Sequence, residues 1–448
     1  MLAKSMTAGV LQRARAAVLT SDGARKFAAD SVWAALEALG ARGLGVAAMM
    51  LAARLLGTSN FGALAAVLGT ATLIAGLLAD SMRYTAATQI AASAAAPRVA
   101  RSGIVTLVIW TTAGVAAVCA LGMLVSAPLL ARQVFASDSL TPALRVAAVF
   151  LFCEALGGLQ QGILTGFRQF RTLAYTGVAR GALLLPLVAL LAGGGTVSAL
   201  WAFVIAGASS VAVRAMAIAV TLKSQRLTAF APISRAELAV LWRVSLPGLL
   251  MSLITVPTNW LGMILLVRSP GGYAQMGILG AANQWFSLLL FIPGILTTVT
   301  LPLFSQRYAS GEAASLRRTL RLSVRVSLLA AVPPALLIAA ASPWLMALYG
   351  ADFAHGWPAL ALVALAAITS STLNMLLNLI GASGRMFQVL ATQIVWAGVY
   401  LLSAYVLLRH SWGASAMAAA TLIGSICRLL LSGYCVRRIV WSHAREAP

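Results

Sequence analysis

Twelve apolar stretches run through this chain between Ala34 and Tyr434, at 34–53, 62–82, 103–126, 143–165, 173–193, 197–221, 245–267, 275–299, 326–347, 358–380, 388–408 and 413–434. Each is about 20–25 residues long, and a helix rising about 1.5 Å per residue then crosses a hydrocarbon core of about 30 Å. In lipid every backbone N–H and C=O must find a partner inside the protein, so stretches of this kind are helical. The sequence therefore predicts an all-α polytopic membrane protein with about 12 transmembrane helices. Its function has to be sought in the few polar groups that lipid disfavours.

Composition supports that solvent assignment, with 61% hydrophobic and only 9% charged residues. The net charge of +22 would point to nucleic acid in a soluble chain. Here it follows one side of a membrane. With the N-terminus in the cytoplasm, five of the 32 Lys and Arg fall outside or at the outer end of a span (Arg54, Arg132, Arg145, Arg268 and Arg409) and four lie deeper within spans (Arg42, Arg180, Arg214 and Arg428). The remainder, including Arg317-Arg318, Arg321, Arg325 and Arg437-Arg438, are cytoplasmic. The positive-inside rule thus places both termini in the cytoplasm, and the basic face can hold anionic lipid headgroups. The N-terminal region is basic and broken by Ser21-Asp22-Gly23, so the first span reads as an uncleaved signal anchor. Cys119, Cys153, Cys427 and Cys435 sit in or at the ends of spans without a CxxC pair, as small buried hydrophobes.

The two halves echo each other at a shift of about 214 residues. Arg54 matches Arg268, Gly62 matches Gly277, and Arg214 matches Arg428. Gly166-Phe167-Arg168-Gln169-Phe170 returns as Gly381-Ala382-Ser383-Gly384-Arg385-Met386-Phe387 with two residues inserted. Six spans per repeat give both halves the same orientation, with an axis along the membrane normal, as in transporters built of two rocking bundles. The expected organisation is a cytoplasmic N-terminal segment 1–33, a six-helix lobe 34–224, a cytoplasmic linker 225–244, a second six-helix lobe 245–436 and a cytoplasmic tail 437–448. Thr85–Arg101 and Ser315–Ser323 read as interfacial pieces, and Ser234-Arg235-Ala236-Glu237 fits a helix-starting capping box.

A charge at a span's centre costs about 2.5–3.5 kcal/mol on insertion scales, so each embedded charge needs a reason. Arg42, Arg180, Arg214 and Arg428 favour the cytoplasmic half. Lining a cavity, their guanidinium forks would suit phosphate oxygens; alternatively Arg180, Arg214 and Arg428 snorkel to headgroups. Glu37, Glu154 and Asp80 are the carboxylates able to couple an ion. Glu154 shares a helix stripe with Gly157, Gly158 and Gln161, and either carries a proton or neutralises a neighbouring arginine. Ser252, Thr255 and Asn259 form a stripe in span seven; Ser371, Asn374 and Asn378 form another in span ten. Such stripes either face a cavity or bind helix to helix. There is no phosphate-cradling Gly-rich loop with Lys and no HExxH or GxSxG pattern, so the reading is of a non-enzyme without a cofactor or metal, driven by an ion gradient or membrane potential.

One run carries a family resemblance. Ala53-Arg54-Leu55-Leu56-Gly57-Thr58-Ser59-Asn60-Phe61-Gly62 resembles the A-R-x-L-G-x-x-x-F-G exit from the first span of polysaccharide flippases, the Wzx-like O-antigen and exopolysaccharide translocases of the MOP superfamily, relatives of MATE exporters and lipid II flippases. Further landmarks follow in family order: Ser245-Leu246-Pro247, Gly277 with Ala281-Ala282, Pro302 with Ser305, Leu348-Tyr349-Gly350-Ala351-Asp352-Phe353, and Gly381-Ala382-Ser383-Gly384-Arg385. The resemblance implies a rocker-switch carrier of the bacterial inner membrane with a cationic central cavity. The implied cargo is an oligosaccharide joined by pyrophosphate to a polyprenol, moved to the periplasmic leaflet for surface polysaccharide synthesis, with a polymerase or glycosyltransferases of the pathway as partners. Arg42 is the position carried over first, while Arg54 reads as structural. Twelve spans depart from the fourteen of the lipid II branch. A MATE-like ion-coupled exporter of small molecules is the alternative, although embedded arginines outnumber carboxylates. A membrane-embedded polymerase would want a large catalytic outside loop, and the longest here is only Ser126–Pro142.

Overall fold

The computed structural model describes residues 21–93, 97–233, 235–240, 246–309 and 313–445, and within them the chain is helical. The helices are α1 (Ser21–Ala92), α2 (Arg98–Leu129), α3 (Thr141–Gly166), α4 (Phe170–Leu191), α5 (Thr196–Ser224), α6 (Arg235–Val240), α7 (Leu246–Val267), α8 (Gly272–Leu289), α9 (Phe291–Ala309), α10 (Ala313–Ala347), α11 (Trp357–Ala382), α12 (Met386–Arg409) and α13 (Gly413–Arg445). Among the described residues nine helices are long and apolar enough to cross a membrane, or ten if the bent pair α8–α9 forms one span. Two of the stretches recognised in the sequence lie in α1, which breaks at Gly57 with φ 71° and ψ 174°, a conformation that favours glycine. Span seven ends in a shorter apolar helix, Ser252–Val267.

The chain forms two compact units. One takes in residues up to Ala48, Leu68–Pro128 and Thr141–Leu250; the other takes in Met49–Val67, Leu129–Leu140 and everything from Met251 onward. The helix tips around Gly57 and Phe135 thus belong to the second unit although their sequence lies in the first half.

In the first unit α3 packs on α5, and α5 on α4. Lipid offers apolar surface as good as leucine, so close packing of small residues has to hold such helices together. Gly158, Gly162 and Gly166 supply it at four-residue spacing on α3. A methyl group on Gly158 would lie 2.7 Å from Ala79 Cβ, one on Gly162 2.5 Å from Arg83 O, and one on Gly166 2.8 Å from Ile90 Cβ. The second part of α1 therefore lies directly against α3. Beside this crossing, Ile90, Val105, Val108, Leu159, Ile163 and Ile218 form a buried core.

The segment after α5 is strapped along α2 rather than loosely solvated. Arg101 Nη2 donates to Gln225 Oε1 at 2.7 Å, and the amides of Thr228 and Ala231 donate to Ser102 Oγ at 3.2 Å and Thr106 Oγ1 at 3.0 Å. Trp110 Nε1 donates to Ala229 O at 3.0 Å while its ring meets Phe230. α6 begins at Arg235, and Ser234 of the expected capping box lies outside the described residues. In the second unit α11 is the central helix, packed on α8, α9, α10 and α13. Phe304, Leu379, Ile380, Val389 and Ile439 fill one core, and Leu289, Ala335, Ala364 and Ala367 another.

Candidate functional site

In the first unit, polar residues form a ladder on α3. Glu154 and Gln161 are seven residues apart, hence on one helix face about 10.5 Å apart along the axis. Glu154 is ion-paired with Arg180 of α4, whose Nη2 donates to its Oε1. The pair is enclosed but not sealed, at 25% and 31% side-chain exposure. Gly207 of α5 lies alongside the pair: a methyl group there would stand 3.7 Å from Cys153 Cβ and 4.0 Å from both Arg180 Nη2 and Glu154 Oε1, ordinary van der Waals contact. At the other rung, Arg83 of α1 donates from Nη1 to Gln161 Oε1 at 3.3 Å and from Nη2 to Asp80 Oδ1 at 2.5 Å. Both carboxylates of the ladder are therefore matched by an arginine.

Arg214 of α5 is 6% exposed and donates from Nε to Thr176 Oγ1 at 3.0 Å. Thr176 lies one turn before Arg180 on α4, so the interior of α3, α4 and α5 holds two arginines on adjacent turns. Arg42 stands exposed on α1, and the side chain of Glu37 lies outside the described residues.

The second unit is arranged differently. Asn378 donates to Thr297 O at 2.9 Å and to Thr300 Oγ1 at 3.1 Å, binding α11 to α9. Gln393 donates to Thr255 Oγ1 at 3.0 Å, binding α12 to α7. Ser371 is fully buried, and its carbonyl accepts from Ser327. Asn259 and Asn374 are half-buried on α7 and α11. Arg428 is half-buried on α13, and its Nε has no hydrogen-bond partner among the described residues. The same holds for the hydroxyl of Ser432, one turn further on and fully buried.

The structure thus joins Glu154 to Arg180 and Asp80 to Gln161 through Arg83. It places Arg214 against Thr176, one turn from Arg180. Arg83, Thr176 and Ser432 did not stand out in the sequence. Arg83 was legible as an i, i+3 partner of Asp80, and Thr176 as the polar residue one turn before Arg180; Ser432 is one hydroxyl among many.

A family model described as "Polysaccharide biosynthesis protein" matches residues 51–358. The EPS I polysaccharide export inner membrane protein EpsE of Ralstonia nicotianae is 27% identical over 322 residues, 70% of this chain and 72% of that protein. Its counterpart in Ralstonia solanacearum is 24% identical over 324 residues, with the same coverage. Among solved structures, an inward-facing multidrug resistance MATE family transporter of the MOP superfamily superposes with a TM-score of 0.74 at 15% identity, over 90% of this chain and 96% of that one. A MOP superfamily transporter from Pyrococcus furiosus, described as having a binding pocket of reversed polarity, gives a TM-score of 0.64 at 15% identity, over 92% and 95%. These structural likenesses establish a shared fold.

Proposed function

The chain belongs to the polysaccharide biosynthesis protein family, and from that premise we propose that it is an inner-membrane flippase for a polyprenyl-pyrophosphate-linked oligosaccharide. The match runs over more than half of the chain, and the export proteins it resembles are inner membrane proteins of polysaccharide export. The cargo has a polar glycan and an anionic pyrophosphate that must pass the apolar core, and the chain shares its fold with a transporter. We read it as a carrier and not an enzyme.

The observation that carries the chemistry is Arg428. A buried guanidinium N–H without an acceptor costs about 1–3 kcal/mol, and an anionic oxygen brought by the cargo removes that cost. The hydroxyl of Ser432 faces the same need. Arg42, exposed on α1, is the second cargo contact in this reading. Arg180 and Arg83 are committed to carboxylates, so we assign the first-unit ladder to coupling.

Flipping of a fluorescent polyprenyl-pyrophosphate oligosaccharide in proteoliposomes tests the proposal. The native protein is expected to flip it, and Arg428→Ala and Arg42→Ala to lose at least tenfold in rate while folding normally. Failure of the native protein with several glycans, under imposed proton and sodium gradients, would return the chain to the exporter reading, tested by efflux of cationic dyes.

A further inference from the structure

The repeat seen in the sequence reappears in the second unit as reciprocal bonding. Arg54 Nε donates to Leu348 O at 2.6 Å, and Arg268 Nε donates to Val134 O at 3.0 Å. Arg54 and Arg268 are 214 residues apart, and so are Val134 and Leu348. Each arginine ends its own span and reaches the other half's carbonyl at the equivalent place. Those carbonyls belong to helix ends: Val134 closes the helical turn Leu130–Val134, and Leu348 follows directly after α10. The last carbonyls of a helix lack intrahelical donors and carry its negative end, so a guanidinium suits both.

A second reciprocity lies beside the first. A methyl group on Gly62 would lie 2.7 Å from the carbonyl carbon of Tyr273 and 2.8 Å from Gly277 N. One on Gly277 would lie 3.2 Å from Gly62 N and 3.3 Å from the carbonyl carbon of Thr58. Thr58 and Tyr273 are 215 residues apart, as are Gly62 and Gly277. Backbone touches backbone where the two repeats meet. Tyr273 Oη adds a donor to Phe135 O at 2.7 Å, and Phe61, Phe135, Tyr349 and Phe353 are each at most 1% exposed around it.

We propose that Arg54 and Arg268 are paired latches that hold the ends of the first-half helices onto the second half and that release together when the carrier opens on that face. The charge bias assigns this face to the outside. The inference rests on the alternating-access reading above. It explains why two arginines stand at the exits of spans one and seven, where a cargo contact would serve only one face of the cycle. The Gly62–Gly277 contact sets the fit, and the two guanidinium bonds set how readily it parts.

The test is pulsed electron–electron spin resonance on the full chain in nanodiscs, without cargo. The four native cysteines are replaced by alanine and spin labels are placed at Gln133→Cys and Ala351→Cys, both exposed positions outside the latch. The native distribution is expected to be mostly the short separation. Arg54→Ala and Arg268→Ala should each raise the ratio of long to short about tenfold, or about 1.4 kcal/mol, and the double variant about a hundredfold. Tyr273→Phe keeps the packing, removes one donor, and should shift the ratio several-fold. Unchanged distributions in the double variant and in Tyr273→Phe would overturn the latch, as would an effect confined to one arginine. If the latch variants shift the distribution while the native protein flips no lipid-linked oligosaccharide, the latch stands and the cargo reading falls.

Discussion

Gly157 and Gly162 lie on one helix, five residues apart, yet the same substitution should move stability in opposite directions. At Gly162 an added methyl carbon meets backbone: 2.5 Å to Arg83 O, 2.7 Å to its Cα and 3.0 Å to its carbonyl carbon. Comfortable carbon contacts are about 3.5–4.0 Å, so α1 and α3 must part by about 1 Å along their crossing. Overpacking of this kind costs about 1–3 kcal/mol. The helix preference for alanine returns up to about 0.5–1 kcal/mol, less where the unfolded state keeps its helices. Gly162→Ala is therefore expected to destabilise by about 1–2 kcal/mol, a factor of roughly 5–30 in the unfolding constant. At Gly157 the nearest obstacle is Val211 Cγ2 at 3.9 Å, ordinary contact. Gly157→Ala should leave stability unchanged or raise it by up to about 1 kcal/mol. Steric-trap unfolding in bicelles measures both. Equal effects within about 0.5 kcal/mol would refute the claim that Gly162, and not glycine content in general, sets this crossing.

The Glu154–Arg180 pair is a quarter to a third exposed, so Glu154→Gln and Arg180→Gln should each cost about 1–2 kcal/mol, below the range for a sealed pair. The double variant should cost less than the two together by at least about 0.5 kcal/mol, and strict additivity would show the pair uncoupled. Asn378→Ala should lower stability by about 0.6–1.7 kcal/mol and leave flipping per folded molecule intact; a flipping defect without a stability loss would put Asn378 on the cargo path. Trp110→Ala should speed amide exchange at Thr228–Ala231 about tenfold by loosening the strap, and unchanged protection would place its hold elsewhere.

Apolar length made the helices legible because lipid leaves the backbone no other choice. The break at Gly57 is not legible in the sequence, since a glycine before a span also occurs where the chain simply turns; only the dihedrals show one long helix interrupted there. The stripe Glu154–Gly157–Gly158–Gln161 was legible as a stripe but mixes two jobs. Gly158 meets α1, while Glu154 and Gln161 bond Arg180 and Arg83. Residue spacing fixes a face of one helix and leaves open which neighbour covers it. That is also why Asn378 read the same as a cavity residue, although it binds α11 to α9. The repeat was legible as matched landmarks; that Arg54 and Arg268 reach each other's halves required the tertiary structure.

Where the repeats differ, chemistry divides between them. At the 214-residue shift Glu154 corresponds to Ile368, and past the two-residue insertion Arg180 corresponds to Trp396 and Thr176 to Thr392. The second unit therefore has no counterpart of the ion pair at these positions. Arg214 finds Thr176, whereas Thr392 turns its hydroxyl to Val389 O of its own helix at 2.8 Å and Arg428 Nε is left without an acceptor among the described residues. Two arginines at equivalent positions should thus respond oppositely to removal. Arg214→Ala takes away a buried hydrogen-bonded group and should destabilise by about 1–3 kcal/mol. Arg428→Ala relieves an unsatisfied donor and should leave stability within about 0.5 kcal/mol of native or above it, while flipping falls at least tenfold. Measuring unfolding and flipping on both variants separates an arginine kept for packing from one kept for an anionic cargo. Equal stability losses with flipping intact would show that the symmetry of the fold, and not a bound phosphate, accounts for Arg428.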